Sequence, residues 1–205
     1  MATGMTFDIQ NPTGTVLAPS YAVGTFGEDA KAMTDRLHDY NAATLGVSLP
    51  SYLVGKEYIM IANNNRDNAA FAIDVTIAQH SLVYLLIDNR LGDNDNTTPP
   101  NFSTYMKWVA EDLWLPVSLN GNQVGNPAFA DVVGLDEGAD GSVNQYSSVY
   151  LKIFPAGTFT LNEFGEAGRN MYGVVVAGIP EPSPVALALL GGGALLMLSR
   201  RRRTG

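Results

Sequence analysis

In this sequence of 205 residues the run Asp88-Asn89-Arg90, which closes an apolar segment, is the sharpest internal chemical feature. A carboxylate and a guanidinium two positions apart can tie loops together through charge-assisted hydrogen bonds, or can hold a ligand at a strand end. The structural role is the more economical reading. A pair of carboxylates can also cleave a glycosidic bond. Asp88 with Glu111 or Asp112 would be the first choice, but among 20 acidic residues some such pair arises by chance. Histidine chemistry has little to work with. His38 and His80 stand in no metal-ligand spacing, and no HExxH helix, Gly-x-Ser-x-Gly elbow or phosphate loop occurs. Without cysteine there is no thiolate and no disulfide framework. No catalytic residue is assigned, and a non-enzymatic protein is expected.

Oxygen donors and aromatic rings supply the remaining candidates. Asp93 and Asp95 lie in an Asp-Asn repeat within a long polar loop, and Asp136, Glu137 and Asp140 in a second, Gly-rich one. Calcium takes about six to eight oxygen ligands, so either loop can offer some, though neither has the EF-hand spacing. Solvated turns are the competing reading, and no cofactor is otherwise implied. Tyr105, Trp108 and Trp114 fall close together. Such rings stack on sugar faces, and they also pack cores and rims. Asp88, Arg90, Trp108 and Trp114 are therefore the candidate ligand-binding residues.

The elements that must position these groups are mostly strands. Apolar or alternating segments occur at 58–62, 71–78, 82–88, 149–154, 158–161 and 171–176, separated by turn clusters such as 63–68. Residues 71, 73, 75 and 77 alternate onto one face. Segment 82–88 is continuously apolar, as in a central strand buried on both faces. Residues 1–26 read as irregular extended chain with one or two strands. One helix is expected at 28–43, with Ala32, Met33, Leu37 and Tyr40 on a helical stripe. The fold class is mainly β: an antiparallel, jelly-roll-like β-sandwich with one short helix over residues 1–178. The series Glu57, 82–90, Pro99-Pro100, Trp108, 154–161 and 171–174 is loosely similar to β-sandwich modules of bacterial surface proteins and of carbohydrate-active enzymes. That likeness implies a binding or structural module.

Residues 179–205 have a different character. Pro180, Glu181 and Pro182 are followed by an uncharged apolar segment at 185–199 and by Arg200, Arg201, Arg202 and Arg203. Prolines keep the first part extended. The apolar segment suits a transmembrane helix, although its 14-residue core is short of the roughly 20 residues a span uses. Four arginines form a basic stop on the cytoplasmic side. Gly191, Gly192 and Gly193 interrupt the segment and suit a small-residue packing face.

This tail resembles the PEP-CTERM sorting signal of Gram-negative bacteria. The resemblance implies export, then processing near Pro180-Glu181-Pro182 by an exosortase, a membrane-embedded transpeptidase-like enzyme. It implies a passage through the inner membrane, then the cell surface or an exopolysaccharide-rich biofilm matrix. The start at Met1 shows no secretory signal, so a start further upstream is expected. Setting aside Glu181 and the four tail arginines leaves 19 acidic and eight basic residues, a net charge of −11. That charge disfavours nucleic acid as a partner. The alternatives are a carbohydrate-binding module for exopolysaccharide, a polysaccharide hydrolase or lyase, and an unprocessed, C-terminally anchored membrane protein.

Overall fold

The computed structural model describes residues 6–8, 21–44, 47–138 and 140–180. Its strands are β1 (Thr6–Asp8), β2 (Tyr21–Thr25), β3 (Ala30–Lys31), β4 (Asp39–Ala42), β5 (Glu57–Ile61), β6 (Ile73–Ile77), β7 (Ser81–Asp88), β8 (Leu115–Ser118), β9 (Gln123–Val124), β10 (Val132–Asp136), β11 (Gln145–Phe154), β12 (Gly157–Leu161) and β13 (Gly173–Gly178). One short helix, α1 (Lys107–Glu111), and two 3-10 turns, Asn63–Asp67 and Pro127–Phe129, complete the described elements. The protein is mainly β with antiparallel pairing. A large sheet runs β2-β5-β13-β7-β11-β10-β4-β3, with β8 attached to β11 and β9 to β8, and a small sheet runs β1-β6-β12. A jelly roll splits eight strands between two sheets; here the path of the large sheet alone takes eight.

Alternation explains why β7 reads as an unbroken apolar run. Val83, Leu85 and Ile87 face one core with Ile73, Val75 and Ile77 of the small sheet, joined by Val174 and Val176 of β13. Tyr84 and Leu86 face a second core on the opposite side, with Val175, Phe26, Met33 and Leu53. β7 is hydrogen-bonded to β11 on one edge and β13 on the other, so no backbone edge is left open. Each fully buried Val, Leu or Ile contributes roughly 1.5–3 kcal/mol relative to exposure. β6 faces a core on one side only, and it keeps the polar Asp74 and Thr76 on its outer face.

The expected helix at 28–43 is not formed. These residues make the β3–β4 hairpin, closed by the Ala32 amide donating to the His38 carbonyl at 2.8 Å. The helical stripe is accounted for differently: Ala32, Met33 and Tyr40 enter the second core, whereas Leu37 sits 74% exposed at the tip. Tertiary contacts override the propensity. β4 completes the open edge of β10, and the Asp35 carboxylate in the turn accepts the Asn63 and Asn64 amides at 2.6 and 3.1 Å. Gly173 is required where β13 begins, because a Cβ there would land on the buried Tyr40 hydroxyl. Among the described residues no helix is long and apolar enough to cross a membrane; the apolar segment 185–199 lies outside them.

Candidate functional site

Asp88 ends β7 as a nearly fully buried carboxylate, 1% exposed. Its Oδ1 accepts the Arg90 amide at 2.9 Å and Arg90 Nε at 3.0 Å. Its Oδ2 accepts Arg90 Nη2 at 2.6 Å and the Asn170 amide at 2.8 Å. Both oxygens are therefore occupied by donors. Arg90 also approaches Glu137 Oε1 at 3.7 Å, and that oxygen accepts Asn170 Nδ2 at 3.0 Å. Asn89, between them, accepts the Ser148 hydroxyl at 2.7 Å and donates to the Asn96 carbonyl. Asn96 accepts the Tyr146 amide at 3.1 Å. Glu166 accepts the Gly92 amide and pairs with Arg169, whose Nε reaches the Arg90 carbonyl. The Asp88-Asn89-Arg90 run thus knots the loops around 89–101, 136–144 and 163–170 at one end of the large sheet. Sequence reading picked out Asp88 and Arg90 but missed Asn170, Glu166 and Arg169, which lack any local pattern.

The aromatic candidates converge inside the protein. Trp108 and Trp114 are 8% and 4% exposed and meet edge to face at 6.2 Å. Trp108 also packs on Tyr172 at 6.0 Å and donates its indole N–H to the Glu163 carbonyl at 2.9 Å. Trp114 contacts Phe154, and the Lys152 ammonium lies 6.0 Å over its ring. One edge of Trp114 reaches a shallow apolar groove of about 440 Å³, together with Pro99, Pro100, Phe102 and Tyr150. Glu111 lines a separate cleft of about 340 Å³ with Glu163, Lys107 and Tyr105. Asp88 is not in that cleft's wall. Asp112 is exposed beside it.

The acidic loops are held by their own backbones. Asp93 accepts the Asp95 amide at 3.0 Å, and Asp95 accepts the Thr97 amide and hydroxyl at 2.8 and 2.7 Å. The Thr97 hydroxyl and amide hold the Asp95 carboxyl below its ordinary pKa. Asp136 is buried and accepts the Gly138 and Gly141 amides at 2.7 and 2.5 Å. Asp140 accepts the Ser142 amide and hydroxyl. His38 is partly buried, and burial lowers its pKa, opposed by Glu137 and reinforced by Arg36. His80 is exposed in the turn before β7.

The tail leaves from the other end of the sheet. Gly178, the last residue of β13, pairs with Ser81, and the Ile179 amide donates to the His80 carbonyl at 2.8 Å. Pro180 follows as an exposed residue. Glu181, Pro182 and Arg200 to Arg203 lie outside the described residues. The knot stands at the Asp88 end of β7 and the tail exit at its Ser81 end. At roughly 3.3 Å per residue, the two are on the order of 23 Å apart.

No family model matches the chain, and no curated protein does. Among solved structures the chain is similar to a β-glucuronidase from glycoside hydrolase family 2, at 18% identity and a TM-score of 0.51. The match covers 80% of this chain and 14% of that one. It is also similar to a GH138 enzyme targeting pectin rhamnogalacturonan II, at 12% identity and a TM-score of 0.48, over 85% of this chain and 16% of that one. The chain thus spans a small fraction of these enzymes' length, and the first likeness is one of fold: a β-rich domain.

Proposed function

We propose that this chain is an exported, non-enzymatic surface or matrix protein. In this reading a β-sandwich domain, of the kind found in bacterial surface modules, is delivered by a C-terminal sorting tail that an exosortase processes at the inner membrane. The observation that carries the reading is the order of the tail: Pro180-Glu181-Pro182, an apolar segment, and four arginines. The fold is compatible with it. Pro180 is exposed two residues after β13 ends, so the motif begins where the sheet's hydrogen bonding stops. Residues 179–184 span at most about 20 Å when extended. The processing enzyme would therefore work close beneath the Ser81 end of the domain. The knotted loops at the Asp88 end would face outward.

Within this reading, polysaccharide recognition is the favoured role for the domain, on one observation. The groove of Pro99, Pro100, Phe102, Trp114 and Tyr150 presents apolar ring edges and proline surface, the kind of surface on which sugar faces pack. The sorting reading is tested in the protein's own host with Glu181→Ala. Uncut precursor should accumulate in the membrane fraction. Normal maturation of the variant would show that Glu181 is not read and would remove the basis of the proposal.

A further inference from the structure

The second core runs out before the large sheet does. Directly paired residues of neighbouring strands share a face. The register therefore lines up Ala177 of β13, Leu82 of β7 and Ile153 of β11, with Leu151 of β11 and Leu115 of β8 beside them. All five lie on the face that carries Tyr84, Val149 and Val175 into the second core. Ala177 is still buried, and Leu82 and Leu151 are half-buried. Ile153 is 58% exposed and Leu115 46%. The result is one contiguous apolar row across four strands, open at its outer end among the described residues. Single exposed apolar residues are ordinary, whereas a contiguous exposed patch marks a contact surface.

The place of the row says what it meets. Gly178 pairs with Ser81, and Ser81 pairs with Phe154, the neighbour of Ile153. The tail thus leaves the sheet about two strand spacings, roughly 10 Å, from the row. The apolar segment of the tail begins at residue 185. A bilayer that holds it is kept against this end of the sheet, within the roughly 20 Å that residues 179–184 span. Charge is divided in the same sense. Asp88, Asp93, Asp136, Glu137 and Asp140 crowd the knotted loops at the opposite end, while Lys56 and Lys152 stand at this one, with Glu57 beside Lys56. That division favours the acidic end in water and the apolar row against lipid headgroups.

We propose that the row of Leu82, Leu115, Leu151 and Ile153 rests on the surface of a lipid bilayer, with Ile153 and Leu115 entering the boundary between headgroups and acyl chains. The proposal rests on the reading of residues 179–205 as a membrane-inserted tail, and goes beyond it by assigning the face of the domain that meets lipid. Amphipathic surfaces sit about 5–10 Å into that boundary, a depth that side chains projecting from a sheet end reach without unfolding it. The domain then leans on its second-core face. Tyr150 belongs to the first core, on the opposite face of β11, so the groove it lines with Pro99, Pro100, Phe102 and Trp114 stays open to water while the tail is uncut.

The sequence has no cysteine, so a single introduced one carries a label unambiguously. Ile153→Cys, Thr158→Cys and Leu37→Cys are each labelled with nitrobenzoxadiazole on the full chain. The chains are incorporated by detergent removal into vesicles of phosphatidylcholine and phosphatidylglycerol. Thr158 is exposed at the same end of the molecule but on the small sheet, and Leu37 is 74% exposed at the β3–β4 tip. The label at 153 should shift to the blue and lose intensity to headgroup spin-labelled lipid, and those at 158 and 37 should do neither. Adding Leu115→Asp to the Ile153→Cys chain should weaken the quenching. Incorporation with an unquenched label at 153, or with 153 and 158 quenched alike, would overturn the proposal and leave the tail reading standing. A blue-shifted label at 153 that spin-labelled lipid does not quench would mean that a second copy covers the row, and would overturn it as well. A chain that stays out of the vesicles would overturn both readings.

Discussion

Replacing Asp88 by alanine should unfold this protein before it affects any ligand. The substitution removes four hydrogen bonds at once, three from Arg90 and one from the Asn170 amide. It strands a guanidinium that is 16% exposed, whose remaining carboxylate neighbour is Glu137 at 3.7 Å. It also leaves the buried Asn170 amide without its acceptor. Breaking a buried pair from one side costs about 3–5 kcal/mol. Arg90's residual exposure and its contact with Glu137 argue for the lower part of that range. For a domain of this size about 3–5 kcal/mol corresponds to a fall in Tm of about 6–20 °C. Urea unfolding followed by fluorescence of the buried Trp108 and Trp114 measures it. Arg90→Met alone should also destabilise, and the Asp88→Ala/Arg90→Met double variant should lose less than the two singles summed. A loss below about 1 kcal/mol for Asp88→Ala, or strict additivity in the cycle, would refute the knot.

Trp108→Ala should cost about 3–5 kcal/mol, as expected for a buried aromatic truncated to alanine; calorimetry gives the value. Lost glycan binding in that variant would therefore say little, whereas Phe102→Ala on the groove leaves the Trp108–Trp114 contact in place and separates binding from folding on a glycan array. His38 has a folded pKa below its unfolded value of 6.5 because burial disfavours the charged ring. Below about pH 6.5 the unfolded chain binds more protons, so this group makes stability fall as pH drops through that value toward the lower folded pKa, and contributes no slope above it. His38→Gln should flatten the slope between pH 7 and 5 in denaturant titrations; an unchanged slope would count against the burial of this ring.

The strands were legible where one physical pattern dominated. Ile73, Val75 and Ile77 alternate because β6 has a core on one face only, and 82–87 is apolar throughout because β7 has a core on each face. The segment 28–43 misled because a β-hairpin with two buried legs and an exposed tip reproduces a helical stripe. Its fate depends on β10, nearly a hundred residues away, which no local window contains. Strands β8, β9 and β10 carry polar and glycine residues and gave no pattern at all. Of the candidate site, Asp88 and Arg90 were visible because they sit together in sequence, whereas Asn170, Glu137 and Glu166 join them only through the fold. The tryptophans were visible as a cluster, but their burial was not, since spacing does not tell a binding platform from a core.

In the proposed reading, residues 179–205 are a sorting tail and the folded domain is the functional species. Intact-mass analysis of the C-terminus of the protein isolated from its own host tests it most directly. A processed tail would give a terminus near Pro180 to Pro184 without the four arginines, with any added mass there marking transfer to another molecule. A terminus at Gly205 in the membrane fraction would make the tail a permanent anchor and would contradict the account.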